Sequence, residues 1–298
     1  MKKLNAAKIV LGVLCAAMSV SSPAAYRDVV MADNPLSFWE FEDASSANGD
    51  VCLDSATRAY KNGTYITNGT GVADIALVPG KVGQAAQLNG SGSGGAGNCI
   101  DIWDGAAYPY SLSKDSFGYP LQTVSLEAWI KSSTTGGYAR IMQHNGAYNT
   151  LDGYGIGSYG STTGDITVIG AGTTWYTGTG NVFDGEWHHI VVTYNPLLDN
   201  EDGIDDMYEY VYIDGVGKWG NVIEDGALGF SYDRLTLGSE GNRWYLYNGF
   251  VGLLDEVAIY DTVLSADRVA AHYAAGIIPE PATLTLLGLG AIALLRKK

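Results

Sequence analysis

The 298-residue sequence has few basic residues and few charged residues of any kind. Its 17 Lys and Arg are outnumbered by 32 Asp and Glu, and the formal net charge is −15 at pH 7. A surface of this charge repels nucleic acid and anionic membranes, so we expect no nucleic-acid partner. Neutral glycans, cations and basic partners are compatible with it. The acidity also serves solubility by itself.

Cysteine is scarce too, with three residues in the whole chain. Cys15 lies in an apolar N-terminal segment, which leaves Cys52 and Cys99 in the remainder. No CxxC or Cys/His grouping indicates a zinc site. In an oxidising compartment the isolated pair predicts a structural disulfide between Cys52 and Cys99, and two separate buried thiols are the alternative.

Signatures of catalysis are missing as well. The sequence has no serine nucleophile elbow, phosphate loop or zinc signature. His188 and His189 are adjacent, so on a strand they point to opposite faces and cannot converge on one substrate or metal. His144 and His272 lie in unrelated segments and indicate no catalytic base. We therefore predict a protein that is not an enzyme.

Helical periodicity is nearly absent, whereas 40 glycines and 20 tyrosines favour short strands joined by tight turns. The predicted strands are Leu36–Glu42, Ala85–Leu88, Cys99–Trp103, Thr123–Lys131, Tyr138–Met142, Tyr154–Ser158, Asp165–Ile169, Trp187–Tyr194, Tyr208–Asp214, Leu235–Gly238 and Gly249–Tyr260. The eighth and ninth flank an acidic loop and are predicted to form a hairpin. One helix is predicted at Ala266–Ala275, with Ser265 as N-cap and Gly276 just past its end. Together these elements predict an all-β two-sheet sandwich or jelly roll.

The N-terminus has the features of a secretory signal. Lys2, Lys3 and Lys8 precede or begin a short apolar core, Ile9–Val20, which is followed by small residues suited to cleavage. We predict that residues 1–25 are a signal peptide. An N-terminal membrane helix or a first strand is the alternative.

The C-terminus carries a second short apolar segment. Pro279, Glu280 and Pro281 precede the apolar run Ala282–Leu295, and the last three residues are basic. These three features, in this order, resemble a PEP-CTERM sorting signal. The resemblance implies cleavage by an exosortase near the Pro-Glu-Pro motif, transient membrane attachment through the tail, and delivery to the cell surface or extracellular matrix. A plain C-terminal anchor is the alternative.

Between these ends, the order of several motifs is similar to a known fold. The motifs lie at Ser125–Ile130, Asp184–Val192, Tyr212–Gly215 and Phe250–Tyr260, and the predicted helix follows them. This order resembles the laminin G-like jelly roll of the concanavalin A-like lectin/glucanase superfamily. We therefore predict one domain at 26–276, followed by a sorting tail at 277–298. The fold hosts lectins, adhesins and hydrolases, so it does not fix function.

The resemblance also allows a comparison with hydrolases of the superfamily. The laminarinase-like enzymes carry their acids in a Glu-x-Asp-x-x-Glu pattern on one strand. Glu40, Glu42 and Asp43 do not fit that pattern, and Asp255-Glu256 is a lone adjacent pair. A divergent glycoside hydrolase is therefore the least favoured hypothesis.

The resemblance further implies a structural calcium ion where the early segment meets the last strand. The matching positions are Asp54, a carbonyl near Gly63, and Asp255, which supply the oxygen ligands that calcium prefers. The alternative is that Asp255 caps a turn or pairs locally.

Glycan binding requires aromatic platforms beside polar groups. Trp175, Tyr176, Trp244 and Tyr245 are the candidate ligand-binding residues. The leading hypothesis is a secreted, surface-sorted, non-catalytic binding or adhesion module for matrix or cell-wall carbohydrate. The rival hypothesis is a structural surface protein in which the sandwich is only a spacer.

Overall fold

The computed structural model describes residues 23–58, 61–69, 72–90, 97–102, 123–134, 137–145, 153–158, 163–170, 173–197, 206–224, 226, 228, 234–241 and 246–278. The helices in these ranges are α1 (Pro23–Ala32) and α2 (Ala266–Gly276). The strands are β1 (Ser37–Trp39), β2 (Val51–Cys52), β3 (Gly63–Thr67), β4 (Ala76–Pro79), β5 (Gln84–Asn89), β6 (Asn98–Ile102), β7 (Val124–Lys131), β8 (Arg140–Asn145), β9 (Gly153–Gly157), β10 (Thr167–Gly170), β11 (Thr173–Tyr176), β12 (Trp187–Leu197), β13 (Asp206–Ile213), β14 (Val216–Ile223), β15 (Leu235–Leu237), β16 (Glu240–Gly241), β17 (Leu246–Tyr247) and β18 (Val251–Tyr260).

The strands form two large antiparallel sheets. Sheet A has the order β14-β13-β12-β7-β18-β5-β4, and β1 also pairs with β18. Sheet B has the order β11-β10-β9-β8-β15-β6-β3-β2. One hydrophobic core contains buried residues of both sheets, so the sheets pack face to face. The predicted two-sheet sandwich is confirmed, and so is the hairpin of β12 and β13.

Alternation along the strands decides which side chains enter the core. On β7, Val124, Leu126, Ala128 and Ile130 are all buried between the sheets, as their spacing predicts. On β13 the burial pattern alternates strictly, with every second residue inward. The strand therefore presents its intervening residues on the outer face of sheet A.

Two helices cover the middle of that outer face. They bury a second apolar cluster, which includes Tyr26 and Val30 of α1, Val269 of α2, and Trp129 and Val191 of sheet A. The helix α1 was not among the predicted elements. It begins at Pro23, inside the predicted signal 1–25, so its first turn lies outside the predicted domain and the remainder is a short helical segment. The boundaries of the three predicted segments remain predictions.

The helix α2 agrees with its prediction at one end and differs at the other. The Ser265 side chain accepts a hydrogen bond from the Arg268 backbone N–H (3.3 Å), which confirms the N-cap. Gly276 is the last residue of the helix and does not follow it. A Cβ atom at Gly276 would lie 2.5 Å from the Trp129 ring, so glycine is required there for close packing.

The predicted disulfide is not formed. Cys52 and Cys99 are both free and buried. Cys52 pairs with Gly63 and faces the core between the sheets, whereas Cys99 pairs with Ile66. Cys99 precedes the core residue Ile100 on β6, so it points to the opposite face of sheet B. The register therefore separates the two thiols, as in the alternative of two buried cysteines.

Glu209 is a carboxyl group inside the sandwich. It lies on the inward face of β13 and is 0% exposed. Neither of its carboxyl oxygens has a hydrogen-bond partner among the described residues. Burial raises the pKa of Glu209 to about 8, so this side chain is held protonated at neutral pH.

Glu209 should make stability fall as the pH rises. The unfolded chain ionises this group above its ordinary pKa of 4.5, whereas the folded chain keeps the proton up to about pH 8. The stability that the proton supports is present below pH 4.5 and is lost as the pH rises through the folded pKa. Glu209→Gln should melt at a higher temperature than wild type at pH 9 and at a similar temperature at pH 4. Parallel melting curves across the pH range would contradict this assignment.

Candidate functional site

Three titratable side chains from separate elements meet beneath the helices. Glu127 of β7 accepts a hydrogen bond from His189 Nε2 of β12 (2.7 Å), and both of its oxygens contact His272 Nδ1 of α2 (3.0 Å). The hydroxyls of Tyr26 and Tyr260 also donate to Glu127, at 3.0 Å and 2.6 Å. The buried carboxylate is thereby surrounded by donors from α1, α2 and two other strands of sheet A, β12 and β18.

A second ion pair extends this cluster to the surface. The other ring nitrogen of His272, Nε2, contacts the Asp33 carboxylate at 2.7 Å. Arg268 of α2 holds the same carboxylate through Nε and an Nη atom at 2.7 to 3.0 Å. Asp33 directly follows α1, so these contacts fasten the two helices to each other and to sheet A.

The contacts set the protonation of the cluster. Burial alone would raise the pKa of Glu127, but the charges and hydrogen bonds of His272 and His189 outweigh it and hold the pKa well below its ordinary value. Burial would lower the pKa of His272, and its contacts with Glu127 and Asp33 raise it instead. Glu127 is therefore an anion paired with a cationic His272.

The cluster cannot act as an active site in this form. Glu127, His189 and His272 are each 0% exposed, and the helices close over them. His188 lies apart from them and pairs with Asp214 and Asp184, so the prediction that the adjacent histidines do not converge is confirmed. No sequence pattern indicates that His272 and His189 share Glu127, because this arrangement depends on where α2 packs.

Removal of the Glu127 charge should destabilise the packing of α1 and α2 on sheet A. Glu127 contributes stability above its ordinary pKa of 4.5, and His272 contributes below its ordinary pKa of 6.5. The pair is thus fully effective between these two values. Glu127→Gln should lose about 3 kcal/mol of unfolding free energy at pH 5.5, because the buried His272 cation then loses one of its two carboxylate partners and keeps only Asp33. The loss should be smaller at pH 9.

Denaturant unfolding at the two pH values measures this difference. The matched control is Glu186→Gln, which removes an exposed carboxylate and should change little. An equal loss at both pH values would show that the contribution of Glu127 is packing and not charge.

The residues predicted to bind calcium are engaged by the backbone. The Asp54 carboxylate accepts N–H hydrogen bonds from Phe38, Ala56 and Lys61, at 2.7 to 2.9 Å. Gly63 pairs with Cys52 in sheet B. Among the described residues there is no group of three or more His, Cys, Asp or Glu that could hold a metal ion. The predicted donor set does not fit a preformed calcium site, and calcium binding remains a prediction.

Asp255 and Glu256 lie at a bulge in β18. Asp255 Oδ2 accepts the N–H groups of Lys81 and Val82 at 2.8 and 3.0 Å, which is the turn-capping role given above as the alternative. Burial raises the pKa of both carboxyl groups. The charge of Glu42 also raises the pKa of Asp255, and the charge of Asp255 raises the pKa of Glu256. They are 0% and 2% exposed, so this pair does not line a cleft in which a glycoside could be cut.

Of the four predicted aromatic ligand-binding residues, two lie on a described strand and two lie outside the described residues. Trp175 and Tyr176 belong to β11, the edge strand of sheet B, and pair with Val168 and Thr167. Trp244 and Tyr245 lie outside the described residues. Their role in binding remains a prediction. Pro279, Glu280 and Pro281 lie outside the described residues too.

A different aromatic surface is present on sheet A. Tyr208, Tyr210 and Tyr212 are the outward residues of β13, and each is partly exposed. The ring centroids of the first two are 5.7 Å apart, and those of the last two are 4.8 Å apart. We call this row the tyrosine ladder. It starts beside α2, where Tyr212 packs on the helix-side cluster, and runs away from the helix.

Glycines of the edge strand β14 make room for the ladder. A Cβ atom at Gly217 would lie 2.5 Å from the Tyr210 hydroxyl oxygen. One at Gly220 would lie 2.4 Å from the Tyr208 hydroxyl oxygen and 2.6 Å from the Tyr210 ring. The rings therefore rest on bare backbone. Sequence reasoning missed this surface, although tyrosines at every second position followed by spaced glycines are a readable signal.

Two antiparallel sheets packed into a sandwich, with helices on one of them, define a lectin-like jelly roll. The chain belongs to the concanavalin A-like lectin/glucanases superfamily, whose profile matches residues 104–270, more than half of the chain. The profile of the PEP-CTERM protein-sorting motif matches residues 278–298, which indicates an exported, surface-sorted protein. No helix among the described residues is long and apolar enough to cross a membrane.

Several solved structures share the fold. Domain 4 of AbnA, a GH43 extracellular arabinanase from Geobacillus stearothermophilus in complex with arabinotriose, is 21% identical with a TM-score of 0.52, over 80% of this chain and 98% of that chain. The binding domain of Paraclostridial Mosquitocidal Protein 1 is 16% identical with a TM-score of 0.54, over 82% and 52%. Trypanosoma rangeli sialidase is 17% identical with a TM-score of 0.51, over 80% and 32%. A search of curated proteins gave no match.

These similarities cover different shares of the other chains. This chain spans nearly all of the arabinanase domain, about half of the toxin-binding domain and about a third of the sialidase. At such identities the likeness concerns the fold. One of these neighbours is itself described as a binding domain.

Proposed function

We propose that this protein is an exported, surface-sorted, non-catalytic module that binds polysaccharide of the extracellular matrix or cell wall. The observation that carries the proposal is the tyrosine ladder on the outer face of sheet A. The three adjacent rings are partly exposed and tilted to each other by 41° and 59°, so they offer separate aromatic faces on which sugar rings can stack. The ladder is the primary binding site in this proposal.

Polar groups beside the rings supply hydrogen bonds to sugar hydroxyls. Asn195 of β12 lies opposite Tyr208 and is partly exposed. The tyrosine hydroxyls can donate or accept, and together with an amide they match the alternating donors and acceptors of a sugar. A platform held by a sheet needs little ordering on binding, which favours affinity.

The similar structures support a glycan as the ligand. One of them is an arabinanase domain in complex with arabinotriose, and another is a sialidase. Of the carboxyl groups considered above for hydrolysis, Asp43, Asp255 and Glu256 are buried. Glu40 is partly exposed and Glu42 is exposed, but neither fits the spacing of the hydrolase acids, so binding without cleavage is the simpler function. The C-terminal tail brings the protein to the cell surface in this proposal. The tail attaches transiently to the membrane, and an exosortase-type enzyme then cuts near Pro279–Pro281.

The ladder can be tested by truncation of its central ring. Tyr210→Ala should weaken binding to neutral polysaccharides by about tenfold or more, because stacking on one aromatic ring is lost together with its contacts to both neighbours. Isothermal titration of the purified protein, after a glycan-array screen, measures the change. The matched control is Tyr138→Ala, which removes a tyrosine that is 40% exposed and outside the ladder.

A second variant tests the platform without removing an aromatic group. Gly220→Ala should displace the rings of Tyr208 and Tyr210 and weaken binding, while the fold is retained. If the protein binds no polysaccharide, or if Tyr210→Ala and Tyr138→Ala behave alike, the ladder is not a glycan site. The rival hypothesis of a structural spacer would then be favoured.

The predicted calcium ion stays in the proposal as a structural ion at Asp54, Gly63 and Asp255, and its binding has to displace backbone N–H groups that the two carboxylates accept. If the ion binds the native state, the melting temperature should rise with the logarithm of the calcium concentration above the Kd. Asp255→Asn should abolish that rise. A melting temperature that does not respond to calcium would remove the ion from the proposal and leave glycan binding unaffected.

A further inference from the structure

A groove opens at the end of sheet A, beside the strand ends of β5, β7 and β18. Its volume is about 330 Å³, and its wall includes Gln87, Asn89, Lys131 and Ser133. The volume is in the lower range of small-ligand sites. None of these residues belongs to the tyrosine ladder or to the cluster around Glu127.

The sheet register lines up four different chemical groups. Lys131, Leu253 and Gln87 line the groove, whereas Trp187 lies beside them and packs on the helix-side cluster. Trp187 of β12 pairs with Lys131 of β7, Lys131 pairs with Leu253 of β18, and Leu253 pairs with Gln87 of β5. Cross-strand neighbours on one face lie within about 5.5 Å of each other. Neighbouring positions on these strands therefore carry the partly exposed indole of Trp187, the ammonium group of Lys131, the apolar side chain of Leu253 and the amide of Gln87.

The rim of the groove is fixed by its own hydrogen bonds. Ser132 Oγ donates to the Val251 carbonyl (2.6 Å) and accepts the Thr134 N–H (3.1 Å). The Gly185 N–H donates to the Ser132 carbonyl (2.9 Å). Gly252 has no room for a side chain, since a Cβ atom there would lie 2.5 Å from the Lys131 carbonyl oxygen. The backbone around the groove is therefore held in place before any ligand arrives.

Three polar side chains that line the groove make no contact with the rest of the described residues through hydrogen bonds or ion pairs. Among the described residues, the side chains of Lys131, Gln87 and Asn89 have no hydrogen bond or ion pair. A lysine without a partner is notable in a chain whose acidic residues outnumber its basic ones by 32 to 17. These three groups can offer donors to a ligand without breaking any internal contact.

The charges near the groove are mixed. Asp184 and Glu186 lie on the turn around Gly185, and Asp184 is paired with His188. Lys81 lies on the other side, with Nζ 4.8 Å from the centre of the Trp129 ring. The acidic residues at the rim disfavour polymers with many negative charges, whereas a single anionic group can reach Lys131 inside the groove.

We propose that this groove is a second carbohydrate subsite, which takes a single sugar unit bearing a carboxylate. In this site Lys131 pairs with the carboxylate, Gln87 and Asn89 bond the sugar hydroxyls, and the apolar face of the sugar rests against Leu253. The subsite goes beyond the proposed function, because it selects an acidic sugar at a place separate from the ladder. A polysaccharide that is mostly neutral and carries occasional uronic acids suits both sites.

A matched pair of ligands tests the subsite. A disaccharide that ends in glucuronic acid is titrated into the purified protein by NMR and calorimetry and compared with its methyl ester, which has the same shape without the charge. The acid should bind at least about tenfold more tightly, because a charge-assisted hydrogen bond is lost in the ester. Its affinity should also fall with added salt.

Lysine variants assign the effect to one residue. Lys131→Met should reduce the affinity for the acid to that of the ester, and Lys131→Arg should restore most of it. Lys218→Met, which removes an exposed lysine on β14, should change nothing. Equal binding of acid and ester, no binding of either, or full affinity in Lys131→Met would overturn the subsite.

These results are separable from those for the ladder. Tyr210→Ala should leave the difference between acid and ester intact, and Lys131→Met should leave binding of neutral polysaccharide intact. The experiments can therefore contradict the proposal for one site without contradicting the proposal for the other.

Discussion

The buried Glu127 carboxylate is the constraint on which the rest of the structure depends. It lies on a central strand of sheet A and gathers donors from α1, α2, β12 and β18. A buried anion is costly unless it is paired and hydrogen-bonded, so these elements have one arrangement that satisfies it. The helices cover the middle of sheet A for this reason, and the ladder and the groove lie on the parts that they leave open.

The sandwich could be predicted from the sequence because its strands keep their period of two. Val124 to Ile130 and the β12–β13 hairpin follow directly from that pattern. Other features depend on distant packing. The helix α1 straddles the predicted signal boundary, Gly276 packs on Trp129, and the thiols of Cys52 and Cys99 are parted by the register of three strands. Local patterns carry no information about such contacts.

The candidate sites show the same division. Asp54 and Asp255 were chosen by resemblance, and the structure shows their oxygens accepting backbone N–H groups. Trp175 and Tyr176 were chosen because they are aromatic, without knowledge of which face they occupy. The tyrosine ladder was visible as an alternation, but its significance depends on the glycines of the neighbouring strand. A search for aromatic residues should therefore weigh their spacing and what lies beneath them.

The end of α2 limits where the folded domain can sit during sorting. Gly276 is packed against Trp129, and only two residues separate it from Pro279. Even fully extended, three residues span roughly 10 Å. An enzyme that cuts at the Pro-Glu-Pro motif must therefore work almost in contact with the sandwich, with little tether between them.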